Sequence, residues 1–214
     1  MELGWRVLVS TTTRVGPSMS AELPVVFLGA GIVERIARCV EAHQVAFLAA
    51  GRADDGKFEG VSPTALDELV RAGLADAVLV EADGARQRPF KAPAAHEPVV
   101  PACASIVSFM MGIDALGRPV EGASVHRPEV VLAYGQTTVT AGLMAAVTAS
   151  PSGGLKGVPP GAVARPIINK ALGPLTREAA TVAAAVLAQG HPSIDRVLVT
   201  DLQSGTFGVL RRRG

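Results

Sequence analysis

The chain has 214 residues, of which 49% are hydrophobic and 18% are charged, with a formal net charge of +1. This length and composition predict one folded domain over residues 1–214 with a substantial core, and exclude a largely disordered chain. The small net charge argues against a general binder of nucleic acids or membrane surfaces.

Short strands and helices alternate along the first 80 residues. Apolar, β-branched runs predict strands at the ranges 6–10, 25–28, 45–50 and 77–80. A helix with one apolar face is predicted at 32–42, and a second helix follows Ser62 as N-cap, with Pro63 in its first turn. This alternation predicts a mostly parallel α/β sheet flanked by helices.

The second half of the chain continues in a similar way, without an internal repeat or a domain boundary marked by composition. The range 150–161 is its clearest loop. The predicted elements are a central strand at 105–111, mostly helix at 130–149 although three threonines weaken it, a strand at 165–169, a helix at 175–188, a strand at 196–200 and an edge strand at 207–210.

Acidic residues follow directly after the apolar run at 77–80. Glu81 and Asp83 stand at the end of this predicted buried strand, and Gly84 allows a sharp turn. Open α/β sheets keep ligand sites at such carboxyl ends, and P-loop NTPases present a Mg²⁺-holding acid there. The residues alone also fit a plain charged turn. The charged and polar residues that follow are Arg86, Arg88, Lys91, His96 and Glu97.

Four short motifs are incomplete. Glu34 stands where a dinucleotide-binding loop at 29–31 would have its third glycine, and Val100 where a zinc-protease motif would have its second histidine. Leu172 replaces the acid of a guanine-reading NKxD motif. No GxxxxGK[ST] sequence occurs, so the 214 residues contain no Walker A loop.

The sequence also bears on location. No apolar run approaches the roughly 20 residues of a membrane span, and the first ten residues lack the apolar region of a signal peptide. Cys39 and Cys103 are far apart and are predicted to be small buried apolar groups rather than metal ligands or a disulfide. We therefore predict a cytoplasmic protein with no nucleic-acid or membrane partner.

Seven strings taken together resemble one family. The resemblance is to the YqeC-type proteins, described as accessory proteins of selenium-dependent molybdenum hydroxylases, and it runs through nearly the whole chain. It implies a P-loop NTPase-like α/β fold. It also implies a role in maturing the hydroxylase or its cofactor, with the hydroxylase or cofactor-biosynthesis proteins as partners. The strings are VLVSTTTR, GKFEGVSP, VEADGARQRPFKAPAAHEPVVP, GIDALGRPV with VHRPE, GLKGVPPGA and IINKAL.

The resemblance implies roles for individual residues. Asp83 would be the Walker B-like acid that holds Mg²⁺, with Glu81 as its catalytic neighbour, and the expected ligands are Mg²⁺ with ATP or GTP. The residues that would line the nucleotide cleft are Thr11, Thr12, Thr13, Arg86, Lys91, His96, Glu97, Asn169 and Lys170.

This sequence departs from the family at the first strand and the Gly-rich GKT loop, which are both missing. Either the start codon is assigned too late and about thirty residues are absent, the length of a strand, loop and helix, or NTP hydrolysis has been lost. We favour the first explanation, because a sheet without its middle strand would contain unpaired backbone groups. The chain as given is expected to show weak or no NTPase activity.

Two other functions are left open. One is a non-catalytic module that holds a cofactor or a partner enzyme around Asp83 and His96. The other is a metal-dependent hydrolase whose ligands and acids would be Asp83, His96, Glu97 and His126.

Overall fold

The computed structural model describes residues 4–20 and 22–212. The chain divides into two compact units, Met1–Gly84 with Val99–Cys103 and Ala85–Pro98 with Ala104–Gly214. Both units contain parallel strands flanked by helices, which confirms the predicted α/β class. The prediction of one P-loop NTPase-like domain over the whole chain stays a prediction.

The elements of the first unit match the predicted pattern closely, with one addition. The polar stretch 51–60, predicted as a loop, contains a two-stranded antiparallel hairpin. The elements are β1 (Val7–Thr11), β2 (Val25–Phe27), α1 (Ile32–His43), β3 (Val45–Ala49), β4 (Gly51–Arg52), β5 (Phe58–Glu59), α2 (Pro63–Arg71) and β6 (Ala77–Glu81).

The main sheet of the first unit is parallel, in the order β2-β3-β1-β6. Strand β1 pairs along Val7–Thr11 with β6 on one side and with β3 on the other. Among the described residues, these four strands pair in one continuous series.

Strand β6 is an edge strand of this sheet as described, and not the fully buried strand that its apolar sequence predicted. None of its five residues is fully buried, and Leu79 is 58% exposed. An apolar run has the same appearance in a central strand and in an edge strand with one covered face, so periodicity alone could not separate them.

The core of the first unit lies on both sides of β1 and β3. Leu8, Leu48 and Ile36 are almost fully buried where α1 and α2 cover one face, and Phe47 packs against Phe58 at 4.9 Å between ring centroids on the other. As predicted, Ser62 caps α2, its hydroxyl accepting a hydrogen bond from the Ala65 amide at 3.2 Å.

The cysteine prediction is wrong for one of the two residues. Both thiols are free, and Cys39 on α1 is half-buried. Cys103 is exposed, and its amide donates to Asp67 Oδ1 at 2.9 Å.

The second unit contains shorter elements separated by more turns. Its bounds confirm the helix predicted at 175–188 and the edge strand after it. The elements are β7 (Phe90–Lys91), β8 (Ile106–Val107), β9 (Met110–Gly112), β10 (Val125–His126), α3 (Pro128–Leu132), α4 (Ala141–Thr148), β11 (Val163–Ala164), β12 (Ile167–Asn169), α5 (Leu175–Ala188), β13 (Arg196–Asp201) and β14 (Thr206–Arg211).

Its larger sheet has the order β14-β13-β12-β9, parallel except for the antiparallel β13–β14 pair. Helix α5 packs on one face of this sheet together with α4, and the core between them includes Met111, Leu143, Ile168 and Val182. Full burial of such a side chain contributes about 1.5–3 kcal/mol.

Two predictions for this unit are wrong in detail. The strand predicted at 105–111 is two strands in different sheets, β8 and β9, so it is not one central strand. The helix predicted at 130–149 is interrupted between Leu132 and Ala141, where Thr140 serves as N-cap of α4 and accepts from the Leu143 amide at 3.0 Å. Threonine competes for backbone hydrogen bonds and favours such caps.

Candidate functional site

The predicted acids and the predicted threonines meet at one edge of the first unit's sheet. Thr11, the last residue of β1, lies directly opposite Glu81, the last residue of β6. The Thr12 amide donates to the Glu81 carbonyl at 3.0 Å. Asp83 follows two residues later. Since β1 and β6 are parallel, both segments leave the sheet at its carboxyl edge, where α/β sheets place ligand sites.

Two of the three threonine hydroxyls shape this edge. Thr11 is completely buried, and its Oγ1 lies 3.1 Å from the Glu81 carbonyl and 2.9 Å from the Thr13 carbonyl. The Thr12 hydroxyl donates to the Val99 carbonyl at 2.6 Å. These contacts give Thr11 and Thr12 a structural function, and their predicted contact with phosphate stays a prediction.

Gly60 lies directly against the backbone of the threonine segment. A Cβ at this position would lie 2.4 Å from the Thr12 carbonyl carbon and 2.7 Å from the Thr13 nitrogen. The next amide, that of Val61, donates to the Thr11 carbonyl at 2.7 Å. The chain needs a glycine here because the threonine segment passes against its backbone.

A second cluster of functional candidates lies in the second unit, around the carboxylate of Glu97. Its Oε1 atom accepts from Arg127 Nη2 at 2.7 Å. Its Oε2 atom accepts from Arg127 Nε at 3.1 Å, from the Ala94 amide at 3.1 Å and from Lys91 Nζ at 3.3 Å. The fork-shaped arginine contact is the strongest geometry available to a carboxylate.

These contacts decide the charge of Glu97. Burial by itself would raise the pKa of this carboxyl, because it disfavours the charged form. The hydrogen bonds from Arg127 and the Ala94 amide, together with the charge of Lys91, outweigh burial and lower the pKa to about 2. Glu97 is therefore a carboxylate that holds cations in place, and is not a proton donor near neutral pH.

Lys91 and His126 are neighbours on paired strands. Lys91 on β7 is 5% exposed and lies opposite His126 on β10. Burial lowers the pKa of His126, and the positive charges of Lys91 and Arg127 lower it further, while Glu97 opposes them. The imidazole is consequently biased towards its neutral form.

Lys156 fixes the segment that precedes Glu97. Its ammonium donates to the carbonyls of Ala94 and Ala95, the latter at 2.8 Å. Gly153 and Gly154 place the lysine by close approach to the end of α4, because a Cβ on either would lie within 2.6 Å of a helix carbonyl oxygen. The two glycines thus allow this loop to pack closely against the end of α4.

Asn169 and Lys170 have structural contacts at the other side of the second unit. The Asn169 Oδ1 atom accepts from the Thr200 hydroxyl at 3.2 Å and from the Leu202 amide at 3.0 Å, which ties the ends of β12 and β13 together. Lys170 Nζ donates to Asp114 Oδ2 at 2.8 Å. Their predicted place near a nucleotide base stays a prediction.

The predicted site residues are thus divided between the units. Within the second unit the structure brings Lys91 and Glu97 together, while His96 is mostly exposed with Nε2 at 3.8 Å from Glu97 Oε1. Arg86 is exposed in a turn with φ of 48°. Those in the first unit are Thr11, Thr12, Thr13, Glu81 and Asp83, and those in the second are Arg86, Lys91, His96, Glu97, Asn169 and Lys170.

No three His, Cys, Asp or Glu side chains within residues 4–20 and 22–212 lie together so that they could hold a metal ion. The ligand set of a metal-dependent hydrolase, from Asp83, His96, Glu97 and His126, stays a prediction. Mg²⁺ needs fewer protein ligands than such a cluster provides, since it is commonly bound by one or two carboxylates together with phosphate oxygens and water.

Comparison with known proteins gives the family. The sequence model of the YqeC protein family matches residues 1–129, more than half of the chain. The chain belongs to the YqeC family. It is 32% identical over 168 residues to a protein of Escherichia coli (strain K12) described as "Uncharacterized protein YqeC". That match covers 74% of this chain and 62% of the relative, so the chain spans less than two thirds of the relative's length. No solved structure matches significantly.

The YqeC match contains most of both clusters. It includes the β1–β6 edge with Glu81 and Asp83, and it includes Glu97 and Arg127. Lys156 lies beyond it. None of the helices formed by the described residues is long and apolar enough to cross a membrane.

Sequence reasoning missed Arg127 and Lys156. Both stand inside strings that carried the family resemblance, VHRPE and GLKGVPPGA, which was the available signal. Their partners are 30 and 62 residues away in the chain, so no local spacing could pair them.

Proposed function

We propose that this chain serves the maturation of a selenium-dependent molybdenum hydroxylase or of its cofactor, by binding a phosphorylated ligand with Mg²⁺ at the carboxyl edge of β1 and β6. The observation that carries the proposal is the pairing of Thr11 with Glu81, which sets Glu81 and Asp83 beside the threonine segment. Membership of the YqeC family supports the accessory role.

The donor chemistry of this edge suits Mg²⁺. Asp83 and Glu81 offer carboxylate oxygens, which are the hard ligands that Mg²⁺ prefers, and Asp83 is the residue we assign to the ion. Bound Mg²⁺ would offset the negative charge of the ligand's phosphates. The backbone contacts between Thr12 and Glu81 hold the two segments in register before any ligand arrives.

Binding without turnover is the expected behaviour of these 214 residues. A Walker A loop supplies backbone amides and a lysine to the β- and γ-phosphates, and no GxxxxGK[ST] sequence is present here. The edge residues described above provide carboxylates and hydroxyls but no such cradle. We therefore assign this chain a ligand-holding function and not an efficient NTPase activity.

The binding experiment compares thermal stabilisation by Mg·ATP and Mg·GTP in the wild type, in Asp83→Asn and in Asp54→Asn. Asp54 is an exposed acid of the 51–60 hairpin in the same unit and serves as the matched control. We expect a Mg²⁺-dependent stabilisation that Asp83→Asn abolishes and Asp54→Asn retains. NTP turnover on the order of 1 s⁻¹ or faster that Asp83→Asn leaves unchanged would contradict the proposal.

The accessory role has its own test in cells. We expect loss of the chain to lower the activity of a selenium-dependent molybdenum hydroxylase without lowering the amount of its polypeptide. Wild type and Asp54→Asn should restore the activity, and Asp83→Asn should not. Restoration by all three would separate the accessory role from the Mg²⁺ site and overturn the assignment of Asp83.

A second candidate function is a non-catalytic module that binds a cofactor or a partner enzyme. The contacts of Glu97 favour it, because a carboxylate that stays ionised keeps Arg127 and Lys91 together at the second unit's β7–β10 pair. Its distinguishing result is stabilisation by molybdopterin-type ligands with none by Mg·nucleotide, and with Asp83→Asn behaving like the wild type.

A further inference from the structure

Strand β14 ends the larger sheet of the second unit with an unusually apolar outer edge. In the part of the chain that the structure describes, no strand pairs with its outer side. Phe207 is 77% exposed and Val209 is 42% exposed. Edge strands of soluble proteins are usually protected by charges, proline or bulges, because an open apolar edge pairs readily with another strand.

The backbone of β14 presents its hydrogen-bonding groups outward at alternate residues. The Arg212 amide donates to the Asp195 carbonyl, so even-numbered residues of β14 face β13. The Leu198 amide donates away from β14, to Pro166, which agrees with this alternation. The N–H and C=O groups of Phe207 and Val209 therefore point to the open edge.

The same residues belong to an apolar row that crosses the sheet. In register, Met110 on β9 lies beside Ile167 on β12, then Leu198 on β13 and Val209 on β14. This row is on the face opposite α5, since the alternate residues Met111, Ile168 and Val197 form the core. Met110 is 51% exposed at the far end. Sheets built from parallel strands are normally covered on both faces.

We propose that two copies of this chain form a dimer through antiparallel pairing of their β14 strands about a two-fold axis at Gly208. This register places Phe207 of each copy opposite Val209 of the other, and it joins their outward backbone groups. Aromatic and β-branched residues are favourable cross-strand partners. The apolar row of each sheet is then extended beyond its own Val209 by Phe207 of the other copy.

A second copy fits this edge because β14 is complementary to itself. The favourable Phe207–Val209 contact occurs twice in the proposed register. The one charged residue of β14, Arg211, falls opposite Gly205 of the other copy, so no like charges face each other. The residues of this interface belong to the second unit, and those of the ligand edge between β1 and β6 belong to the first.

Cross-linking at the axis tests the register. Two Gly208 residues would form a non-hydrogen-bonded pair with Cα atoms about 4.5 Å apart, within the range of a disulfide. A Cβ at Gly208 meets no atom within 4 Å, and Gly122 shares this freedom and provides the control. With Cys39 and Cys103 replaced by alanine, Gly208→Cys should form a covalent dimer on mild oxidation and Gly122→Cys should not. Equal cross-linking of the two variants would overturn the proposal.

Sedimentation of uncross-linked protein tests the interface itself. We expect a dimer in the micromolar range that Val209→Pro and Phe207→Lys each weaken by at least an order of magnitude. The proline removes only an outward N–H, so the β13–β14 ladder survives. Leu172→Lys alters an equally exposed apolar residue of the same unit and should leave the dimer intact. A monomeric wild type, or a dimer that either β14 variant retains, would refute the proposal.

Discussion

The guanidinium of Arg127 donates two hydrogen bonds to the carboxylate of Glu97, from Nη2 to Oε1 at 2.7 Å and from Nε to Oε2 at 3.1 Å. The pair joins the start of α3 to the turn before Pro98, 30 residues earlier in the chain. Lys91 binds the same carboxylate from β7. One ionised side chain therefore connects three separate segments of the second unit.

Glu97→Gln removes the charge that Arg127 and Lys91 both bind, while keeping the shape of the side chain. We expect the free energy of unfolding to fall by about 2 kcal/mol, because two partly buried cations lose their shared carboxylate. Urea unfolding at pH 7 measures this. Glu121→Gln, at an exposed acid of the same unit, is the control. Equal stability of the two variants would show that the network is energetically neutral.

The same carboxylate predicts a dependence of stability on pH. The pKa of Glu97 is about 2 in the folded chain and lies near its ordinary value of 4.5 when unfolded. Its stabilising contribution is therefore complete above the unfolded pKa and is lost as the pH falls towards 2. We expect the stability difference between the wild type and Glu97→Gln to shrink steadily between pH 5 and pH 3. A constant difference over this range would contradict the assignment.

Gly60→Ala should destabilise the first unit by about 1–3 kcal/mol. The added Cβ would lie 2.4 Å from the backbone of Thr12, and one of the two segments must move. Gly122→Ala adds the same atom where nothing lies within 4 Å and serves as control. Thermal unfolding compares them, and amide NMR shifts should change at Thr12 and Thr13. A variant as stable as the control would show that the threonine segment can move without a loss of stability.

The sequence was sufficient to predict where β1 and β6 end, because that prediction needs only local information. An apolar run followed by polar residues marks where each strand ends, and parallel strands bring those ends together. Thr11 and Glu81 meet for this reason. The exposure of Leu79 could not be predicted, since strand order depends on which segments pair and not on the run itself.

The contacts of Glu97, in contrast, could not be predicted from the sequence. Lys91 and Glu97 were predicted to line a ligand cleft, and the structure shows a contact between them. Arg127 entered the site through the pairing of β7 with β10, a tertiary event that joins segments more than 30 residues apart. Partial burial explains these ion pairs, because charges that are largely removed from water require partners whatever their function.

Lys156→Met should loosen the turn before Glu97 without unfolding the unit. The ammonium group donates to the carbonyls of Ala94 and Ala95, and Glu97 closes that turn by donating its amide to Ala94. We expect a loss of about 1–2 kcal/mol and faster hydrogen exchange at the Glu97 amide. Arg177→Met, at an exposed cation on α5, should change neither quantity. Unchanged exchange in Lys156→Met would mean that the lysine does not hold the turn.

The pKa of His126 depends on its charged neighbours and can be measured by titration. Burial and the positive charges of Lys91 and Arg127 lower the pKa of this imidazole from its ordinary value of 6.5. As the pH falls, His126 is therefore protonated in the unfolded chain before it is protonated in the folded chain. Its contribution to the stability of the fold is present above pH 6.5 and is lost as the pH falls through the lower pKa of the folded state. NMR titration should place the pKa of His126 under 6.5, and Lys91→Met should raise it, since one repelling charge is removed. Arg177→Met should leave it unchanged because that residue lies on α5, outside the set of charges that act on the imidazole. A pKa that does not respond to Lys91→Met would show that burial alone sets the protonation of His126.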